Sequence, residues 1–382
     1  METKTYTLSE LASIKYGKNQ KKVMSEDGTI PIYGTGGLMG YATEYLYNKP
    51  SVLIGRKGTI DKVRYIEEPF WTVDTLFYTQ INDDIVLPRY LYYVLSLLDL
   101  GQYNEGTTIP SLRTETLNRL EFDIPSLHDQ EKILSYIVPI EEKIEINNKI
   151  TRNLYSQIAT IFKSWVVDKD KTSEKMPDNW SMKPLKDLCV TVTKGTTPTT
   201  LGKQFKNSGI NFIKAESILE NHYIDNEKFA YIDEETNLLL KRSIIQKGDI
   251  LFTIAGSLGR FSLVDDSVTP ANTNQAVAII RPNSTLITSE YLYSFFVGNW
   301  HNDYYSRRIQ QAVQANLSLT TIKSLPIVIM DEINMKKYTK LVTPLILMIK
   351  SVEQEYKRLL EVRGTILPKL MSGEIDLTDI DI

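Results

Sequence analysis

Thirteen basic side chains stand beside expected turns. Lys15, Lys18, Lys21, Lys22, Arg56, Lys57, Lys62 and Arg64 mark one half of the chain, and Lys194, Lys203, Lys206, Lys214 and Arg260 the other. Phosphate binding needs such cations gathered on one face, and base edges are read by Arg, Lys, Asn or Gln delivered on a loop, strand or helix. A solvated surface accounts for any single run. The same bias in both halves points instead to nucleic-acid contact. Tyr33 and Tyr41 flank the glycine-rich "GTGGLMG" and are further candidates to face DNA, although packing is the usual role of tyrosine.

Other chemistries find less support. "GTGGLMG" (34–40) has the wrong spacing for a dinucleotide loop and no helical pattern after it. Gly17-Lys18 and Gly202-Lys203 are followed by Asn19 and Gln204, so neither completes a phosphate-cradling "GxxxxGK[ST]". There is no Pro-Pro pair of the kind a DNA base methyltransferase uses in its catalytic turn. The carboxylates of "HDQEK" (128–132) and "EEK" (141–143) are explained by helix starts and helix surfaces. Cys189 is the one cysteine and has no identifiable base, which favours a small buried residue over a nucleophile. With His128, His222 and His301 far apart in sequence, a metal site is not expected.

The net charge of −3 is unevenly spread. Residues 1–64 carry 10 Lys+Arg against 6 Asp+Glu, residues 65–127 carry 3 against 10, and residues 181–214 carry 6 against 1. No apolar stretch reaches the length of a membrane span and the polar N-terminus has no export signal, so the expected location is the cytoplasm.

The elements that must hold these loops come twice. At a shift of 205, Ile133, Ile137, Ile140, Ile144, Leu154 and Ile161 fall on Tyr338, Val342, Leu345, Ile349, Leu359 and Ile366, and Pro139 falls on Pro344. Ile158 extends the first seam, and Asn147 and Thr151 are polar seam positions where Val352 and Tyr356 stand in the second. Alternating steps of four and three sustained for about 33 residues predict two long coiled-coil helices, about 50 Å each, with each proline marking a kink or break near the helix start. Upstream, "VLIGRKGTIDKV" (52–63) meets "ILFTIAGSLGRF" (250–261) at a shift of 198, which lands Gly58 on Gly256. Strand-like runs, turn clusters and one short amphipathic helix per half predict an α+β globule. The expected order is a globule over 1–127, a long helix over 128–168, a linker over 169–179, a second globule over 180–330, and a second long helix with a tail over 331–382. A 50 Å helix pair measures about 15 base pairs of DNA.

In this order and spacing, "IPIYGTGGLMGY" with "VLIGRKGTIDKV", "IPSLHDQEKI", "IFKSWVVD" with "MPDNW", and "LPKLMSGEIDL" resemble the specificity subunit of a type I DNA restriction-modification system over nearly the whole chain. Two features depart from the family pattern: a short N-terminus, and Met335 where the start of the second helix should carry the glutamine found at Gln130. The resemblance implies a pseudo-twofold arrangement of two target recognition domains and an antiparallel helix pair. It also implies a chain without catalysis or cofactor of its own. Two methyltransferase subunits binding S-adenosylmethionine, and two restriction-translocase subunits using ATP and Mg, would be its partners on double-stranded DNA. A specificity subunit serving a fused nuclease-methyltransferase, or a coiled-coil adaptor that binds only proteins, would share the repeat.

Overall fold

The structure, a computed structural model, describes residues 2–167, 177–300 and 317–375. Of the linker expected over 169–179, residues 169–176 lie outside the described residues, as does the tail from 376. Two compact units are formed, one from residues up to Glu145 together with those from Lys357 onward, the other from Ile146–Tyr356.

The first unit begins with β1 (Thr3–Thr7), β2 (Ala12–Tyr16), β3 (Ile30–Gly34) and β4 (Gly37–Ala42), and continues with β5 (Ser51–Gly55), β6 (Val63–Ile66), β7 (Trp71–Thr72), β8 (Leu76–Ile81) and β9 (Glu121–Pro125). β2, β8, β5 and β6 make an antiparallel sheet in that order. β5 is buried on both faces, as its uninterrupted apolar run requires. In a second sheet β3 pairs antiparallel with β4 and parallel with β7, and β1 pairs with β9 alone.

The second unit repeats this plan strand for strand. Its β10 (Ser181–Pro184), β11 (Cys189–Lys194), β12 (Ile210–Ile213), β13 (Ala230–Ile232), β14 (Ile250–Thr253), β15 (Phe261–Leu263), β16 (Ala271–Thr273), β17 (Val277–Pro282) and β18 (Pro326–Ile329) form sheets β11-β17-β14-β15, β13-β12-β16 and β10-β18. The shift of 198 survives in the strand register, where Val52 opposite Tyr65 becomes Ile250 opposite Leu263.

Two long helices run Leu127–Phe162 and Glu332–Met371. Each core takes part of both. Ile133 and Ile137 are buried with Leu367 and Leu370 in the first unit; Leu154, Ile158 and Phe162 are buried with Tyr338, Val342, Ile346 and Ile349 in the second. The helices therefore run antiparallel within each unit. Ile144 and Asn147 are also buried, whereas Ile140, Ile161, Leu345, Val352, Leu359 and Ile366 are half-buried. Phe162, Ile346 and Leu367 stand one position beyond Ile161, Leu345 and Ile366. That drift is what a helix of 3.6 residues per turn does to a seam drawn with a period of 3.5.

Of the kink or break expected at Pro139 and Pro344, no break occurs: both helices run through the proline. Each is the thirteenth residue, counted from Leu127 and from Glu332, and both are exposed. The carbonyls they leave unbonded, at Ser135 and Lys340, belong to exposed residues where water can satisfy them.

Gln130 and Met335 show how the two helix starts differ. Gln130 is fully buried; its Oε1 accepts from the Leu87 amide at 2.8 Å and its Nε2 donates to the Ile85 and Pro125 carbonyls at 2.9 and 3.0 Å. Met335 instead joins the apolar core of the second unit, where the Tyr291 hydroxyl donates to the Val328 carbonyl at 2.6 Å. Gln130→Ala leaves one amide and two carbonyls without their partner and is expected to destabilise the first unit by about 2–4 kcal/mol, whereas Met335→Leu costs under about 1.5 kcal/mol; thermal melting of both variants checks the contrast.

A polar network sits between the long helices of the second unit. Asn147 donates to Glu355 at 2.9 Å, and Tyr155 donates to Glu353 at 3.2 Å while lying 3.3 Å from the Tyr293 hydroxyl. Burial pushes the Glu353 carboxyl up to about 7, against the opposing Tyr155 hydrogen bond and the nearby Lys350 ammonium. The native state therefore holds a proton that the unfolded chain releases near pH 4.5. Stability contributed below that pH is lost as pH rises through about 7. Glu353→Gln should be near neutral at pH 5 and stabilising by on the order of 2–3 kcal/mol at pH 8, read from urea unfolding at the two pH values.

Candidate nucleic-acid interface

In the first unit the candidate cations are placed by three tight backbone devices. β2 ends at Gly17, whose amide donates to Leu76 O at 3.0 Å; a Cβ there would run into the Val73 carbonyl. Gly195 closes β11 in the same way against Thr273. The chain then carries Lys18, Lys21 and Lys22 into an exposed loop, anchored by the Lys18 amide on Thr72 O at 2.8 Å and by the Trp71 indole on Lys18 O at 2.9 Å. Lys15 is exposed on β2 itself.

The second device follows β5. The Arg56 and Lys57 amides both donate to Thr75 O, and Gly58, with φ 89°, donates to Pro110 O at 2.9 Å. Gly256 holds the equivalent place in the second unit with φ 72°. Arg56 is aimed twice: its Nη1 donates to Asp74 O at 2.8 Å and its guanidinium lies 5.1 Å from the centre of the Tyr16 ring. Lys57 and Lys62 point to solvent.

The third is the hairpin between β3 and β4. Gly37 takes φ 118°, and a Cβ on it would lie 3.4 Å from Arg64 Nη2; a Cβ on Gly58 would lie 4.0 Å from Thr35 Oγ1. The hairpin, the 56–58 loop and Arg64 thus meet at one end of the sheets. The Tyr33 hydroxyl donates to Glu68 at 3.2 Å, and burial together with that carboxylate pushes it up to about 12. Tyr41 is exposed, with Tyr16, Leu38 and Met39 also more than two-fifths exposed. The last three were not singled out from sequence. For Leu38 and Met39 the signal is their place just after a two-residue glycine turn, and for Tyr16 its place just before Gly17. Apolar side chains beside cations can contact a thymine methyl or wedge at a base step.

In the second unit Lys194 is exposed at the end of β11. The other four cations are paired. Lys203 lies 2.8 Å from Glu235, Lys206 3.3 Å from Asp233, Lys214 3.8 Å from Glu216, and Arg260 2.9 Å from Glu220, with Arg260 Nη1 also donating to Ile218 O at 3.3 Å. The Asp233 carboxylate is held down to about 2, first by its cap on Thr236 and then by Lys206. Hydrogen bonding to Glu235 holds Lys203 above the ordinary lysine value.

Cys189 is half-buried and burial pushes its thiol up to about 12, which leaves it protonated and a poor nucleophile. Among the described residues no group of three or more His, Cys, Asp and Glu is arranged to hold a metal, and no helix is long and apolar enough to cross a membrane.

The sequence model of the type I restriction modification DNA specificity domain matches residues 1–155 and again 177–357. The chain is 23% identical to the type I restriction enzyme MjaIX specificity subunit of Methanocaldococcus jannaschii, over 88% of this chain and 80% of that protein. It is 24% identical to the HindI specificity subunit of Haemophilus influenzae, over 77% and 79%. The crystal structure of the type I restriction-modification system S subunit from M. genitalium shares the fold with a TM-score of 0.67 at 16% identity, covering 97% of this chain and 96% of that one. Two copies of the domain, in units with the same strand order, place this chain in the type I restriction-modification DNA specificity subunit family.

Proposed function

We propose that the chain reads a split, asymmetric DNA site, one half through each unit, while the paired long helices fix the unread spacer and carry the partner subunits. The observation that carries this reading is the repetition of a glycine-closed, cation-bearing strand end at Gly17 and Gly195 and of a positive-φ glycine loop at Gly58 and Gly256. Equivalent surfaces on two units of identical topology suit two half-sites. Cations ordered by backbone devices suit base or phosphate contact without a reorganisation cost. The DNA-facing set is Lys15, Lys18, Lys21, Lys22, Tyr33, Tyr41, Arg56, Lys57, Lys62 and Arg64 in the first unit, with Tyr16 added, and Lys194, Lys203, Lys206, Lys214 and Arg260 in the second.

In this reading the chain has no catalytic residue of its own. Two methyltransferase subunits would bind S-adenosylmethionine and modify the site. Two restriction-translocase subunits would supply ATP- and Mg-dependent cleavage, and the assembly would work on DNA in the cytoplasm. Methylation mapping in cells that carry this chain with its methyltransferase should reveal one bipartite motif absent from cells without it. Loss of salt-dependent, sequence-specific DNA binding by the purified complex would leave only a protein-binding adaptor.

A further inference from the structure

The two units treat their cations differently. Among the described residues none of Lys15, Lys18, Lys21, Lys22, Lys57, Lys62 and Arg64 forms an ion pair. In the second unit four of the five candidates do, and every partner carboxylate comes from one stretch, Glu216 to Glu235. For Glu216 and Glu220 the reason is topological: β3 and β4 are joined by Thr35 and Gly36 alone, whereas β12 and β13 are joined by residues 214–229. Asp233 and Glu235 follow β13 directly, at the start of the helix Glu234–Leu239.

That longer arm is fastened in place. Ile218 bridges Ile224 at its base, and both are buried. At its tip His222 takes φ 68°, stacks on Phe261 at 4.0 Å and meets the edge of Tyr155 at 5.0 Å. Glu220, two residues away, is thereby held against Arg260 while remaining 85% exposed. Exposed pairs of this kind contribute little to stability. Their effect on an approaching polyanion is larger, because phosphate has to displace a carboxylate before it can take the cation.

We propose that residues 214–235 form an electrostatic screen that withholds the second unit's cations from non-specific phosphate. The screen rests on the DNA-binding reading and makes the two half-sites unequal. The first unit supplies sequence-independent, salt-sensitive affinity. The second gives up its ion pairs only where base contacts hold DNA close enough to displace them, which widens the gap between specific and non-specific binding.

The test uses the full chain with its methyltransferase and a labelled 30-base-pair duplex of arbitrary sequence, titrated over a range of salt concentrations. Glu220→Gln with Glu235→Gln frees Arg260 and Lys203. Binding should tighten by about tenfold at low salt, and the slope of log affinity against log salt should steepen by up to about 1.8. Lys57→Gln with Lys62→Gln should weaken binding and flatten the slope by a similar amount. If the lysine variant weakens binding while the glutamate variant leaves it unchanged or weaker, the screen is overturned and the DNA reading stands. If the lysine variant has no effect and the parent shows no salt dependence, the DNA reading itself fails. Glu220→Ser with Glu235→Ser is the second variant, held to the same outcomes.

Discussion

Replacing residues 1–127 with the equivalent segment of a relative changes one half of the methylated motif and leaves the other half as it was. The first unit carries its own sheets, its own glycine-closed loops and its own cations, none of them borrowed from 146–356. With each mismatched base pair costing about 1–3 kcal/mol, a half-site of three base pairs loses roughly a hundredfold or more when its reader is exchanged. The exchange has a structural condition. Tyr90 and Tyr93 pack with Ile133 and Ile137, and the Tyr93 hydroxyl donates to Glu141 at 2.7 Å, so a donor that differs at these tyrosines loses stability at the helix seam. Methylome sequencing of the exchanged chain reads the result, and a motif altered in both halves would count against independent readers.

Lengthening both long helices by four residues, after Lys149 and after Gln354, should keep both half-sequences and widen the spacer by one or two base pairs. Four residues add about 6 Å and turn the helix about 40° beyond a full turn, whereas 6 Å of duplex spans roughly two base pairs and about 70° of twist. The cut points are tolerant ones. Both residues are exposed, and in the antiparallel pair Asn147 and Glu355 lie on one side of the two cuts while Tyr155 and Glu353 lie on the other, so both ties survive. Residual twist falls on the DNA and lowers affinity. An active variant that kept the parental spacer would sink the idea that the helices act as a ruler; a widened spacer is visible directly in the methylated motif.

The repeat was legible because its signals are local. Apolar periodicity names the long helices, runs such as "SVLIG" and "DILFTI" name two fully buried strands, and the shift of 198 pairs Gly58 with Gly256, both of which take positive φ. The order of strands in the sheets was not legible, since it depends on pairings such as Ile14 with Thr79 across more than sixty residues. Ion pairing was hidden for the same reason: Arg260 and Glu220 are forty residues apart, and a count of lysines and arginines cannot tell a cation facing solvent from one already held. The Tyr33 hydroxyl bond to Glu68 was hidden likewise, thirty-five residues separating the two. The continuity of both helices through proline turned on exposure, which periodicity alone does not give at a single position.

The division of the two compact units has a consequence for how the chain comes off the ribosome. The unit of Ile146–Tyr356 is contiguous in sequence, but the other needs Leu367 and Leu370 to complete a core whose remaining residues were made more than two hundred positions earlier. Domains fold as units during synthesis. The segment made first therefore waits with an open apolar groove along Ile133 and Ile137, and is sealed last. A chain that ends at Tyr356 has every residue of its later-made unit, while its earlier-made one stays exposed to aggregation or chaperone capture.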